Sequence, residues 1–263
     1  MLPSFDVLGL SIKTFGLAFG LSFVLCGLLV ARRLKETGRP PDWAYEMVFV
    51  ALVGGLIGAR AWWALDHLNE VKGDILGGLF GGSGLTWYGG ALGGAAGVLL
   101  WAWRKGMLGL DLLDICAPAL AIGYACGRIG CQVSGDGDYG KPWNGPWAMA
   151  YPKGVVPTDV KVHPTPIYET VTMGLAAIVL WRLRDRLAPG RLFALYLVFA
   201  GAERFLVEFV RRNPESALGL TTAQLISIVM FVVGAIWLVR TRSGAAGGRR
   251  VERPGGSRTR CRT

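Results

Sequence analysis

The sequence predicts an all-α integral membrane protein of about seven transmembrane helices, with its N-terminus outside and its C-terminus in the cytoplasm. Three observations carry that reading. The 263 residues are 52% hydrophobic and only 17% charged, where a soluble domain carries nearer a quarter charged residues. Several apolar runs approach the roughly 20 residues that cross a bilayer. The basic residues fall unevenly among the segments between those runs, which is how orientation is written into a membrane protein.

The first span is read at roughly 14–31. It follows MLPSFDVLGLSIK, which has no basic n-region and no small-residue cleavage site, so it is not a cleaved signal peptide. The second, roughly 46–66, contains Arg60. The third, roughly 88–103, is short, and its GALGGAAG run (90–97) suits close helix packing in lipid. A fourth at roughly 110–128 precedes a long outer loop, 129–168, and three more follow at roughly 169–187, 191–210 and 221–239. Residues 1–242 then form one transmembrane domain. Residues 243–263, rich in Gly and Arg, form a disordered basic cytoplasmic tail. GGSGL (81–85) is a linker.

Orientation follows from counting basic residues. Eighteen lie in one set of connections, from Arg32 through Arg104 and Arg184 to the residues from Arg240 onward. Seven lie in the other: Lys13, Lys72, Lys141, Lys153, Lys161, Arg211 and Arg212. The net charge of +10 is therefore assigned to topology rather than to nucleic acid. Five scattered cysteines with no CxxC pair and two histidines argue against a zinc or iron–sulfur site. A Cys126–Cys131 disulfide is possible, but small packing residues are the favoured reading.

Three arginines remain inside the spans: Arg60, Arg128 and Arg204. Such a residue costs about 2.5–3.5 kcal/mol to insert near a helix centre, so it usually serves a site or a partner. At about 1.5 Å of rise per residue, Arg60 and Arg204 lie about 20 Å from the cytoplasmic end of their spans and Arg128 roughly 27 Å. All three fall in the outer half, level with Tyr88 of TWYGG. Three guanidinium groups at that depth suit a phospholipid phosphate, whose oxygens they bind bidentately. The bland alternative is that Arg204 pairs with Glu208 one turn on, Glu203 serves another arginine, and Arg60 pairs with Asp66 or snorkels.

The densest polar segment, GRIGCQVSGDGDYGKPW (127–143), sits above that level. Its glycines, Gly140 among them, allow tight turns, and Asp136 and Asp138 bring acid beside Arg128. The DGD triplet lacks the further oxygen ligands and terminal Glu of an EF-hand. HPTPIYE (163–169) opens the fifth span: Thr165 can cap, Pro166 suits the first turn, and Glu169 sits near the positive helix end. His163 lies at the level of the arginines.

Taken together, GRIGC…SGDGDYG, HPTPIYE, TWYGG and ERFLVEFVRR (203–212) resemble the prolipoprotein diacylglyceryl transferase family over nearly all the chain up to about Val239. The resemblance implies a seven-helix fold in the bacterial inner membrane. It implies transfer of the diacylglyceryl group of phosphatidylglycerol to the lipobox cysteine thiol of a prolipoprotein signal peptide, forming a thioether and releasing glycerol 1-phosphate. On this resemblance Arg128 matches the signature arginine at the lipid phosphate, Arg204 a second essential arginine with Glu208 as its helix partner, and His163 the histidine of the HP…YE element. Arg60, Gly89, Gly90 and Gly140 are expected at the lipid site with them. Many members carry a histidine before the paired glycines, where this chain has Tyr88. Asparagines and a glutamate of their signature loop read Cys131, Ser134 and Asp136 here, and a tyrosine near the first span reads Phe15.

In the implied reaction the thiolate attacks the glycerol carbon that bears the phosphate, and Arg128 and Arg204 stabilise the leaving charge. No cofactor or metal is required. The base is left open among Tyr88, His163 and Asp136; free phenol, imidazole and carboxyl groups titrate near 10, 6.5 and 3.9. Two other readings compete, a catalytically silent lipid-binding relative and a small anion transporter. The transporter predicts polar residues at several depths, whereas the inner halves here are nearly all apolar.

Overall fold

A computed structural model describes residues 1–7, 10–68, 86–214, 216 and 219–246. The linker at 81–85 and the tail beyond Ala246, with Cys261, lie outside the described residues.

Seven helices run through the described residues: α1 (Thr14–Glu36), α2 (Trp43–Asp66), α3 (Trp87–Arg104), α4 (Leu110–Ser134), α5 (Thr165–Leu183), α6 (Arg191–Glu208) and α7 (Thr222–Ala246). Stretches of α1, α2, α4 and α7 are long and apolar enough to cross a membrane. The outer faces fit that solvent. Leu17, Leu21 and Leu28 on α1, and Val171, Leu175 and Ile178 on α5, form exposed apolar stripes at helical spacing.

The expectation of an all-α chain is too simple. Two antiparallel pairs are present: β1 (Ser4–Val7) with β2 (Leu10–Lys13), and β3 (Met149–Tyr151) with β4 (Thr158–Val162). In both, apolar and polar residues alternate too briefly to stand out beside the long helical runs. The boundary of the outer loop also moves. α4 continues six residues past 128, because GRIGCQVS keeps helical geometry until Gly135 adopts φ 62° and ends it. The loop therefore starts at 135, not 129.

Packing divides by residue size. α2 and α3 meet along glycines: a Cβ on Gly54 would lie 2.5 Å from the Gly93 carbonyl oxygen, and one on Gly97 2.5 Å from that of Val50. Backbones this close replace the hydrophobic drive that lipid removes. α4 is the central helix, packed against α1, α5 and α6. Its fully buried Pro118 sits in a wall of Ala117, Ala119, Ala121 and Ala125. Asp114 of α4 accepts the backbone N–H groups of Gly190 and Phe193 at 2.7 and 2.9 Å, fixing the start of α6 against it.

Candidate active site

α4, α5 and α6 bring their charges together at the end of the bundle that carries the β3–β4 hairpin. Tyr124 and Arg128 stand one turn apart on α4, and the Arg128 guanidinium lies 5.0 Å from the Tyr124 ring centre. On α6 and the turn after it, Arg204, Glu208 and Arg211 fall at i, i+4 and i+7, which is one face. Arg204 Nη2 pairs with Glu208 at 3.0 Å, and Asn213 donates to the other Glu208 oxygen at 2.6 Å.

All three arginines converge on Glu169 of α5, whose side chain is wholly buried. Arg128 Nε lies 3.1 Å from Oε2, Arg204 Nη1 3.0 Å from Oε1, and Arg211 Nη1 3.4 Å from both oxygens. The Tyr124 hydroxyl donates to Oε1 at 2.9 Å. A carboxylate removed this far from water persists only with such partners.

Asp138 closes the cluster from the loop, pairing with Arg128 and, at 2.6 Å, with Arg211 Nη2. Thr165 is the first residue of α5 rather than its cap. Its hydroxyl donates to the Asp138 carbonyl at 2.6 Å and holds the loop in place. Burial alone would push the Asp138 carboxyl up, but Arg128 and Arg211 outweigh it and hold it below the ordinary carboxylate value.

These groups form one wall of a cavity of about 370 Å³, a size that suits a small ligand or headgroup. Tyr88, Tyr124, Arg128, Asp138, Glu203, Arg204 and Arg211 give it polar atoms; Met173, Ala200, Ile226 and Met230 give it an apolar wall. A cavity lined by both guanidinium groups and apolar side chains matches an amphiphile with an anionic head.

The structure thus brings Tyr88, Arg128, Arg204 and Glu208 to one place and leaves other expected residues elsewhere. His163 stacks on Trp143 at 4.3 Å, and its Nδ1 lies 3.2 Å from the Tyr168 hydroxyl. It is not among the residues lining the cavity, and burial lowers its pKa. Of the two aspartates expected beside Arg128, Asp138 makes the ion pair; Asp136 turns back to accept the Asp138 N–H at 3.2 Å. Arg60 lies over the Trp63 ring at 4.5 Å and is not a lining residue. Gly89 and Gly90 belong to the α2–α3 seam, where a Cβ on Gly89 would strike the Gly58 carbonyl. Gly140 donates its N–H to the His163 carbonyl at 2.8 Å, and a Cβ there would strike the Val210 carbonyl, so glycine lets the loop lie on the turn that carries Arg211.

Cys126 and Cys131 are free thiols. Cys131, Asp136 and Asp138 place potential ligand atoms within 4.8 Å of one another. Both Asp138 oxygens are nevertheless taken by arginines, and Arg128 Nη1 lies 3.8 Å from the Cys131 sulfur, a cationic setting that disfavours a metal ion.

Sequence reasoning missed Arg211, counted as a loop cation, and Glu169, read as a helix-start residue. The i, i+4, i+7 spacing of Arg204, Glu208 and Arg211 was the available signal for the first.

The family model described as prolipoprotein diacylglyceryl transferase matches residues 3–240. A phosphatidylglycerol–prolipoprotein diacylglyceryl transferase of Clostridium tetani is 32% identical over 235 residues, covering 88% of this chain and 93% of that one. A relative of the same name from Pseudomonas savastanoi pv. phaseolicola is 32% identical over 262 residues, covering 90% and 92%. One from Methylobacillus flagellatus is 30% identical over 260 residues, covering 90% and 96%. Match and geometry agree, and the chain belongs to the prolipoprotein diacylglyceryl transferase family.

Proposed function

We propose that this protein transfers the diacylglyceryl group of phosphatidylglycerol to the lipobox cysteine thiol of prolipoproteins, as the names of its relatives state for them. The observation that carries this is the convergence of Arg128, Arg204 and Arg211 on a cavity that Met173, Ala200, Ile226 and Met230 also line. Arg128 uses Nε for Glu169 and Nη1 for Asp138, which leaves Nη2 for a phosphate oxygen. Among the three paired carboxylates, Glu169 and Glu208 are wholly buried while the Asp138 side chain is 34% exposed. Asp138 is therefore the partner that an incoming phosphate displaces, gaining the donors of two arginines at once.

In this reading sulfur attacks the glycerol carbon, the C–O bond to phosphate breaks, and the guanidinium groups stabilise the charge that grows on the leaving oxygen. Removing one such donor typically costs about 10²–10³-fold in rate. All seven helices cross the bacterial inner membrane, with the arginine cluster toward the outer leaflet and the C-terminus cytoplasmic. The eighteen basic residues on one side against seven on the other support that orientation. Residues 1–242 act as one membrane domain, and signal peptides reach the cavity from the bilayer.

The test is transfer by purified protein from phosphatidylglycerol in mixed micelles to a lipobox peptide, read by mass spectrometry. A thioether-linked diacylglyceryl peptide with one equivalent of glycerol 1-phosphate is expected. An unmodified peptide under conditions where phosphatidylglycerol binds would leave the silent relative as the answer.

A further inference from the structure

Asp138, Glu169 and Glu208 are each held by arginine, but a fourth carboxylate is not. Glu203 precedes Arg204 on α6 and lines the cavity with Tyr88, Tyr124 and Arg128. Its Oε1 is buried and has no hydrogen-bond partner among the described residues. The ion pairs of the cluster join the arginines to Asp138, Glu169 and Glu208 and leave Glu203 out. The bland alternative in the sequence had Glu203 serving another arginine. Instead Glu169 takes all three, because it enters from α5 on the face where α4 and α6 meet.

An unpaired carboxylate oxygen is expensive to bury, and one that lines a cavity calls for a chemical explanation. We propose that Glu203 is the proton acceptor for the incoming cysteine thiol, an assignment that deepens the transferase reading and rests on it. In the step, the S–H proton passes to the Glu203 carboxylate and the sulfur electron pair forms the C–S bond to the glycerol carbon. The C–O bond to phosphate breaks and its electron pair stays on the phosphate oxygen. The phosphodiester thereby becomes a monoester, and the proton on Glu203 leaves with that monoester or to water. No further reactant enters.

The electrostatics favour this direction of transfer. Accepting the proton neutralises the cavity carboxylate that has no ion pair among the described residues, while the negative charge moves to the phosphate, which the three guanidinium groups would hold. The charged and titratable neighbours are Tyr124 and Arg128 of α4, Glu169 of α5, Tyr196 and Arg204 of α6, Arg211 beyond it, Asp138 of the loop and Tyr88 of α3; α7 brings only uncharged side chains. Of the other candidates, His163 lies outside the cavity lining, and Tyr88 lines it as a phenol whose ordinary value of about 10 makes it a weaker acceptor of the thiol proton at neutral pH.

The experiment measures initial transfer rates for wild type, E203Q and E203D from pH 6 to 9, with phosphatidylglycerol binding followed in parallel by native mass spectrometry. E203Q is expected to lose about 10²-fold or more at pH 7 with binding unchanged. Its deficit should shrink as pH approaches the ordinary thiol value near 8.5, where the thiol ionises unaided. E203D, which keeps the carboxylate, should retain the wild-type pH limb at a reduced rate. An E203Q rate close to wild type at pH 7, a deficit equal at every pH, or an E203D profile without the limb overturns the assignment and leaves the transferase reading intact. No thioether from the wild type overturns both.

Discussion

The two ends of the helix bundle carry ion-pair networks built from the same residue types. Where α1 ends and α5 runs out, Glu36 meets Arg32, Arg33 and Arg184 at 2.9–3.3 Å, and Arg33 also reaches Asp185. That network is wet: the Glu36 side chain is 27% exposed and that of Asp185 62%. At the hairpin end Glu169, itself wholly buried, meets three arginines beside a cavity lined by a fourth carboxylate, Glu203, that has no ion pair among the described residues. Water screens the first network to about 0–1 kcal/mol per pair, so it ties helix ends together. The second sits where low dielectric makes each charge costly to strand and effective at stabilising another. A smaller cavity of about 210 Å³ also adjoins Arg33 and Arg184, so it is the full burial of the shared acid and the larger, partly apolar cavity beside it that separate the site from the staple.

Substitution of the central acid at each end should expose the difference most strongly. E169Q removes the wholly buried anion shared by three largely buried arginines and is expected to lower stability by about 3–5 kcal/mol. E36Q should lower it by less than about 1 kcal/mol. Thermal melts in one detergent compare them directly, and equal losses would erase the distinction.

A pH titration sharpens the same contrast. The folded carboxyl of Asp138 lies below its ordinary value, so its stabilisation is present above the unfolded value near 3.9 and is lost as pH falls through the folded one. Melts of wild type from pH 6 downward should show that acid-sensitive component, and D138N should lack it. A D138N curve parallel to wild type throughout would mean that the arginine pairs add nothing at this position. The smallest effect is expected at His163, which stacks on Trp143 outside the cavity lining. H163A should keep transfer within about threefold; a much larger fall in rate would bring the histidine within reach of substrate.

Much of this was legible in the residues. Long apolar runs located the seven helices of the described residues, and Arg128 and Arg204 stood out because an apolar segment tolerates a guanidinium only for a reason. What remained hidden depended on which way side chains turn. Asp136 and Asp138 differ by two positions in a glycine-rich turn, and only the fold shows that one caps the local backbone while the other meets arginine. Glu169 read as a helix-start residue because its partners lie 35 to 45 residues away, on α4, on α6 and on the turn beyond α6. Arg211 counted as a loop cation because α6 ends at Glu208, although the next turn holds it on the same face. The glycines before α3's apolar run served helix contact instead of lipid, a distinction that needs the facing glycines of α2.

The central claim is that the arginine cluster around the wholly buried Glu169 is chemical and the one around the part-exposed Glu36 mechanical. Transfer rates of R128A and R184A against wild type, at saturating phosphatidylglycerol and with melting temperatures recorded, test it most directly. The account predicts a loss of about 10²–10³-fold for R128A and a rate near wild type for R184A. Equal rates for the two variants would contradict it.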